Sequence, residues 1–128
     1  MPASIAQSLI LFAHGARDPA WAAPFERLRA LVQAAAPDVD VQLAFLELMQ
    51  PDLPAAAAQA VAGGAQRITV VPVFLGQGGH VRRDLPQLLA QLRQAYPQVQ
   101  IDDVPAAGED DAVLRAISAY CVRAVVVG

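Results

Sequence analysis

Two histidines and one glutamate stand where predicted strands end. His14 and His80 are the only histidines of the chain, and Glu47 is one of only three glutamates. His14 directly follows one apolar run, Glu47 closely follows a second, and His80 lies in a glycine-rich loop after a third. Two imidazoles and a carboxylate are a common ligand set for Zn²⁺, Fe²⁺, Co²⁺ and Ni²⁺. A single histidine is more often structural, so the predicted metal site depends on all three residues converging.

Arginines accompany both histidines. All nine basic residues of the chain are arginines, and Arg17, Arg82 and Arg83 fall in the two histidine-bearing loops. A guanidinium group pairs well with carboxylates and stays charged at neutral pH. We interpret these arginines as a carboxylate-binding rim; the alternative is that they are solvated loop charges. Gly78 and Gly79 beside them leave room for a bulky organic ligand.

The same loops do not match two other chemistries. In the segment 76–81, Val81 stands where a dinucleotide-binding G-x-G-x-x-G motif needs its last glycine, and the Gly-Lys-Ser/Thr of a P-loop is absent from the sequence. His14-Gly15 is similar to the histidine phosphatases, but these need an arginine directly before the histidine, and here the residue is Ala13.

Four apolar runs predict four strands, and the segments between and after them predict four helices. The runs cover 8–13, 39–45, 67–75 and 99–104. The third run is almost continuously apolar, which is typical of a strand buried on both faces of a parallel sheet. The helical segments are marked by Trp21, Phe25, Leu28 and Val32; by the Ala-rich stretch 53–62; by Leu85, Leu88, Leu89, Leu92 and Tyr96; and by Val113, Leu114, Ile117 and Tyr120.

Capping signals set the helix boundaries. Asp52 and Asp84 each precede a leucine and a proline, which predicts two N-caps with proline in the first turn. Gly63-Gly64 predicts the end of the second helix. The first helix has two possible starts, at Asp18-Pro19 and at Pro24, and the sequence leaves both open.

The alternation of strand and helix predicts an α/β fold in one domain over residues 1–128. We expect a three-layer α/β/α open parallel sheet of about four strands in the order 2-1-3-4. Ligands of such sheets bind outside the carboxyl ends of the strands, and neighbouring strands lie ~4.8 Å apart. With the second and third strands flanking the first, His14, Glu47 and His80 can reach one ion.

Composition narrows the class of protein. A formal net charge of −3 argues against a general nucleic-acid binder, and no apolar run approaches the ~18 residues of a membrane span. The single cysteine, Cys121, excludes an intrachain disulfide, and the start of the chain lacks the positive charge of a signal peptide, so we expect a cytoplasmic protein. Cys121 lies on an apolar helix face and is predicted to be core rather than a nucleophile. The apolar tail 122–128 can finish the last helix, add an edge strand or form a subunit contact.

At these residues the chain resembles the small single-domain sirohydrochlorin chelatases of the cobalamin and siroheme pathways. The similarity is carried by the segments 11–19, 44–47, 71–75 and 78–86, in this order. Within them, the His-Gly-x-Arg-Asp-Pro and Gly-Gly-His-Val-Arg-Arg-Asp motifs are the most specific. The resemblance implies a chelatase-like fold, metal and catalytic roles for His14 and His80, Glu47 as a further metal-site carboxylate, and a homodimer.

The function implied by this resemblance is insertion of a divalent metal into a tetrapyrrole. The metal is then a substrate, with Co²⁺ first and Fe²⁺ or Ni²⁺ also compatible, and no prosthetic group is expected. Arg17, Arg82 and Arg83 would pair with the carboxylate arms of the tetrapyrrole. The alternative function is a non-enzymatic metal carrier or sensor that uses the same three ligands. A degenerate subunit that only scaffolds a dimer is a further possibility, against which the intact His-Glu-His set argues.

Overall fold

The structure, a computed structural model, describes residues 5–76 and 78–127. Its centre is a four-stranded sheet in the order β2-β1-β3-β4, and every pair of neighbouring strands is parallel. The predicted α/β class and strand order are therefore confirmed. The strands are β1 (Gln7–Ala13), β2 (Asp40–Phe45), β3 (Arg67–Pro72) and β4 (Gln100–Asp103).

Helices follow the strands as the alternation predicts. Two short 3₁₀ turns, Pro19–Ala22 and Ala107–Glu109, precede the first and the last of them. No helix in the described part of the chain is both long and apolar enough to cross a membrane. The helices are α1 (Ala23–Ala35), α2 (Leu53–Ala62), α3 (Gly79–Ala95) and α4 (Asp111–Val127).

The main core lies between the sheet and the helices α2 and α3. Ile10 and Phe12 of β1 are fully buried there against Leu53 of α2 and Leu85 of α3. On the other face of the sheet, α1 packs along β2, where the guanidinium of Arg29 donates to the carbonyl of Val41. β1 and β3 are each flanked by strands on both sides, so the carboxyl ends of these two strands lie side by side in the middle of the sheet.

The first two helices begin where the sequence indicated. Both candidate starts of the first helix are used: Asp18 caps the 3₁₀ turn through a 2.9 Å bond from the Ala20 N–H, and Pro24 sits in the first turn of α1. Asp52 caps α2 by accepting from the Ala55 N–H at 2.9 Å, and the helix ends at Gly63 as predicted.

The predicted start of α3 at Asp84 is wrong. The helix begins six residues earlier, with Gly78 as its N-cap and Gly79 as its first residue, so Pro86 lies inside the helix. Val81 and Leu85 are both buried at helical spacing, and their burial stabilises the additional turns. This gain offsets the hydrogen bond that Pro86 cannot donate.

Two further predictions need correction. The third apolar run was expected to remain a strand as far as Leu75, but β3 ends at Pro72 and Leu75 is exposed where the chain turns away. Cys121 was predicted to be core, yet its side chain is exposed on α4. The tail completes α4 as far as Val127 instead of forming an edge strand, whereas Gly128 lies outside the described residues.

Candidate functional site

The carboxyl end of β1 is joined by backbone hydrogen bonds to both of its neighbours. The N–H of Leu46 donates to the carbonyl of Ala13 at 2.8 Å, and the N–H of Glu47 donates to the carbonyl of His14 at 3.1 Å. On the β3 side, the N–H of Val73 donates to the carbonyl of Phe12 at 2.8 Å. The first two of these bonds join the loop after β2 to the loop after β1. The backbones of the predicted ligands His14 and Glu47 therefore lie directly beside each other.

Gly15 makes this close approach possible. Its φ of +93° lies in a region that L side chains rarely adopt, and a Cβ built there would stand 2.0 Å from the carbonyl oxygen of Glu47. The glycine is therefore required both by its own conformation and by the neighbouring loop.

Glu47 begins a strained turn. The N–H of Met49 donates to the carbonyl of Glu47 at 2.8 Å, and Leu48 between them has a φ of +66°. An i to i+2 bond closed over a positive φ is a γ-turn, which is rare and costs of order 1–3 kcal/mol for a non-glycine residue. The carboxylate of Glu47 is exposed, so this turn presents it to solvent at the sheet edge.

The ring of His14 rests on an aromatic side chain that sequence reasoning missed. His14 is half-buried, and its ring centroid lies 4.3 Å from that of the buried Phe74. Phe74 in turn packs edge-on against Phe12, with centroids 5.9 Å apart. The sequence shows Phe74 only as part of an apolar run, because the contact with His14 arises from the register of β1 and β3. Phe74 is a positioning residue for the imidazole.

We expect Phe74→Leu to lower metal affinity at His14 by roughly 10-fold while the protein stays folded, since losing the aromatic stack frees the imidazole ring. Isothermal titration with Co²⁺ measures the affinity, and thermal unfolding measures the accompanying stability loss of about 1 kcal/mol. Ile68→Val is the matched control, because it trims a buried side chain of β3 at the end of the strand away from Phe74 and costs a comparable stability. Equal Co²⁺ affinity in the two variants would show that Phe74 only fills the core.

A second glycine fixes the turn that carries Phe74. The N–H of Gly108 donates to the carbonyl of Phe74 at 2.8 Å. A Cβ on Gly108 would lie 1.8 Å from the carbonyl oxygen of Leu75. The 3₁₀ turn before α4 therefore packs directly on the backbone of the β3 loop, and only a glycine fits there.

The third loop leads into α3. Gly78 is its N-cap and Gly79 its first residue, and the backbone of His80 lies in the first helical turn. The side chain of His80 and the whole of Gln77 lie outside the described residues. The structure therefore shows where His80 is attached, at the carboxyl edge beyond β3, but leaves its predicted ligand role as a prediction.

The three arginines predicted to bind carboxylates are all exposed. Arg83 reaches back along α3, with its Nε donating to the carbonyl of Gly79 at 3.2 Å, and Arg82 and Arg17 present their side chains to solvent. Arg82 and Arg83 follow the glycine N-cap in the first turns of the helix, whereas Arg17 belongs to the loop after β1. Their places, on the loop after β1 and at the start of α3, are at the same edge of the sheet, and their role as a rim stays a prediction.

A groove of about 270 Å³ adjoins Glu47. It runs between the loop after β2 and α3, and its walls carry Asp84, Gln87 and Gln91 as well as the carboxylate of Glu47. Among the described side chains, no three His, Cys, Asp or Glu residues gather closely enough to hold a metal ion. The predicted metal site of His14, Glu47 and His80 thus depends on the side chain of His80, which lies outside the described residues.

Residues 8–124 match the model of the CbiX family. The chain belongs to the CbiX family. The family resemblance inferred from the sequence motifs is thereby confirmed, over nearly all of the chain.

Individual relatives agree with this membership. The chain is 37% identical over 90 residues to a sirohydrochlorin cobaltochelatase from Methanocaldococcus jannaschii, covering 70% of the chain and 63% of that protein. A similar enzyme from Methanopyrus kandleri is 34% identical over 82 residues, which are 64% of the chain and 57% of that relative. The chain therefore spans less than two thirds of the curated relatives that it matches.

Solved structures share the fold. A CbiX protein from Marinobacter aquaeolei superposes with a TM-score of 0.85 at 28% identity, covering 95% of the chain and 99% of that structure. The sirohydrochlorin chelatase SirB from Bacillus subtilis subspecies spizizenii, solved in complex with cobalt, gives a TM-score of 0.79 at 25% identity. This match covers 89% of the chain but only 49% of SirB, so the CbiX-family chain corresponds to about half of that protein.

Proposed function

We propose that this chain is a sirohydrochlorin chelatase that inserts a divalent metal, Co²⁺ first, into the tetrapyrrole. The observation that carries the proposal is the backbone hydrogen bond between His14 and Glu47 at the carboxyl end of β1, in a CbiX-family chain whose fold is shared by cobalt-bound SirB. His80 is attached at the same edge, in the first turn of α3. Two imidazoles and a carboxylate suit Co²⁺, Fe²⁺ and Ni²⁺ alike, so the residues support the class of metal more strongly than its identity.

In this proposal His14, Glu47 and His80 hold the incoming ion loosely. Three protein ligands leave open coordination positions, through which the ion exchanges its waters for the pyrrole nitrogens. A closed four-ligand cage would retain the ion instead. The exposed carboxylate of Glu47 and the half-buried ring of His14 suit such transient binding, because one is accessible to a hydrated ion and the other is held in place by Phe74.

Insertion also requires proton transfer. Each metal that enters the ring replaces two pyrrole N–H protons, and both must be accepted by a base near the site. Imidazole and carboxylate groups both serve as general bases in enzymes, so one of the two histidines or Glu47 takes this role in the proposal.

The arginines bind the periphery of the substrate. Sirohydrochlorin carries several acetate and propionate arms, and in a protein with a net charge of −3 these need local positive charge. Arg17 on the loop after β1, and Arg82 and Arg83 at the start of α3, are exposed, which leaves their guanidinium groups accessible to carboxylates. Gly78 and Gly79, without side chains, keep the space between the loops open.

Arg82→Gln is expected to raise the KM for sirohydrochlorin by roughly 10-fold with a smaller change in kcat, because the lost pairing acts on binding more than on insertion. Initial metallation rates at varied sirohydrochlorin concentration measure both constants. Arg27→Gln, an exposed arginine of α1, removes the same charge outside the proposed rim. If Arg27→Gln raises KM as much as Arg82→Gln does, the effect comes from the net charge of the protein and not from a contact between Arg82 and the substrate.

The function is tested anaerobically. Purified protein is mixed with sirohydrochlorin and, separately, with Co²⁺, Fe²⁺ or Ni²⁺, and the absorption change of metallation is followed against a protein-free control. Acceleration above the control supports a chelatase, and the order of the rates identifies the preferred metal. Folded protein that binds Co²⁺ but accelerates no reaction would instead be a metal carrier or sensor.

The proposal includes a cytoplasmic homodimer. SirB is about twice as long as the matched region, so two copies of this chain would supply the equivalent of its length. The single cysteine leaves no intrachain disulfide to form, which fits a reducing compartment.

A further inference from the structure

Two large apolar side chains are exposed at the carboxyl edge of the sheet, in the loops on either side of His14. Leu48 follows Glu47 in the loop after β2 and is 59% exposed, and Leu75 follows Phe74 in the loop after β3 and is 68% exposed. In the described part of the chain, neither belongs to the buried core or to the partly buried side chains packed against it. We call Leu48 and Leu75 the leucine pair.

The strand order sets the spacing of the leucine pair. Because β1 lies between β2 and β3, the two loops that carry the pair flank the loop that carries His14. Neighbouring strands are ~4.8 Å apart, so the ends of β2 and β3 are about 10 Å apart. Backbone bonds hold both loops there, from the N–H of Glu47 to His14 at 3.1 Å and from the N–H of Val73 to Phe12 at 2.8 Å. The leucine pair therefore lies on both sides of the proposed metal ligand.

Leu48 has a backbone conformation that is unfavourable for a leucine. Its φ of +66° lies in the left-handed region, which asparagine and glycine adopt much more readily. Its exposed side chain gains little free energy from burial in return. Both features make leucine a poor choice at this position for the stability of the fold. A strained residue directly beside a proposed site indicates that its side chain serves the function of that site.

The backbone of Leu75 is fixed in a different way. The N–H of Gly108 donates to the carbonyl of Phe74 at 2.8 Å, and a Cβ built on Gly108 would lie 1.8 Å from the carbonyl oxygen of Leu75. The backbone of Leu75 therefore packs against the 3₁₀ turn before α4, while its side chain is exposed. Since the backbones of both leucines are held in place, little conformational entropy is lost when a ligand covers their side chains.

The polarity of this edge indicates which ligand covers the leucine pair. Arg17 in the loop after β1, and Arg82 and Arg83 at the start of α3, are exposed at the same edge. Apolar side chains accompanied by arginines are complementary to a flat ring whose faces are apolar and whose arms end in carboxylates. A hydrated metal ion gains nothing from an apolar contact. The tetrapyrrole, and not the metal, is therefore the substrate that fits the leucine pair.

We infer that Leu48 and Leu75 bind one face of the tetrapyrrole ring and hold its centre over His14 and Glu47. This rests on the proposed function and adds the residues that contact the ring itself. Two apolar contacts about 10 Å apart, one on each side of His14, fix the plane of the ring. The carboxylate arms at the edge of the ring then remain free to reach the arginines.

The experiment measures binding of sirohydrochlorin without metal, under anaerobic conditions. Binding is followed by the quenching of the only tryptophan, Trp21, which lies in the 3₁₀ turn before α1. Leu48→Asn and Leu75→Gln should each raise the Kd by about 10-fold, since each removes the apolar contact of one leucine. The double variant should raise it by about 100-fold, because the two contacts are separate. Leu31→Gln, which changes an exposed leucine of α1, should leave the Kd unchanged.

Two further readouts distinguish a contact with the ring from other roles. Because asparagine tolerates the φ of residue 48 better than leucine does, Leu48→Asn should raise the Tm while it weakens binding. A leucine that only stabilised its loop would give a lower Tm. The effect of Leu48→Asn on the Kd should be the same at low and high ionic strength, whereas the effect of Arg82→Gln should shrink as salt screens its charge.

The outcomes separate this inference from the proposed function. A double variant whose Kd stays within about twofold of the unmodified chain would overturn the inference, and so would an equal loss of binding in Leu31→Gln. If the unmodified chain and the double variant metallate sirohydrochlorin equally well, the leucine pair is refuted and the proposed function stands. An unmodified chain that binds no sirohydrochlorin would overturn both. Far-UV circular dichroism verifies that the variants are folded, and Leu75→Ala replaces Leu75→Gln if the latter is not.

Discussion

His14→Ala is expected to reduce metallation of sirohydrochlorin to the rate of the protein-free control, a loss of at least ~100-fold. The substitution removes the imidazole that lies on Phe74. The backbone carbonyl of residue 14 still accepts from the N–H of Glu47, so the loop after β2 stays in place. No other described histidine can take its place, and His80→Ala should have a loss of the same size if both imidazoles are ligands. The anaerobic absorption assay measures the rate, and titration with Co²⁺ measures whether the ion still binds.

The matched control lies on the same strand. Gln7→Ala changes an exposed side chain at the amino end of β1, the end of the strand opposite to His14, and should leave the metallation rate within about twofold. If His14→Ala retains a rate within the same range, His14 is not a ligand and the proposed site is wrong.

Gly15→Ala is expected to destabilise the protein by about 2 to 4 kcal/mol and to abolish most metallation. The new Cβ would lie 2.0 Å from the carbonyl oxygen of Glu47, so the loop after β2 must move away from the end of β1. This movement breaks the bond between Glu47 and His14 and separates two of the proposed ligands. Thermal unfolding should show a Tm lower by roughly 10 °C.

A matched substitution at Gly64 distinguishes the cost of backbone strain from the cost of the steric clash at Gly15. Gly64 has a φ of +96°, close to that of Gly15, but no atom lies within 4 Å of a Cβ built on it. Gly64→Ala should therefore cost only the conformational strain of about 1 to 2 kcal/mol and leave metallation unchanged. Equal stability losses in the two variants would mean that the loop after β2 moves freely and does not hold the site together.

The fold could be predicted because its signals are local. Alternating apolar runs and amphipathic segments are read directly from the sequence, and the alternation restricts the sheet to few topologies. The bounds of α2 were predicted to the residue, since Asp52 and Gly63 are unambiguous capping residues. The predicted start of α3 failed because Asp84 and Pro86 form an equally good local signal, which the burial of Val81 overrides.

The places of His14 and Glu47 at strand ends could be predicted from the sequence, but the contacts that hold these residues could not. His14 and Glu47 follow strands that the sequence shows, and parallel strands bring their carboxyl ends together. The contact between His14 and Phe74 depends on the register of two strands distant in sequence, which no local pattern reports. The positive φ of Leu48 has no sequence signal either, because it is imposed by the turn that closes on Glu47. Cys121 was assigned to the core because an apolar helix face indicates burial, whereas this face of α4 is exposed in the structure.

Pro86 divides α3 into two parts that are joined by one hydrogen bond fewer than an uninterrupted helix. A proline donates no N–H, so the carbonyl of Arg82 has no helical partner at position 86 and the hydrogen-bond ladder is interrupted there. Buried leucine and valine side chains anchor both parts in the core: Val81 and Leu85 before the proline or next to it, and Leu89 and Leu92 after it. The exposed Arg82 and Arg83 are thus attached to turns whose position is set by packing against the sheet more than by the helical ladder.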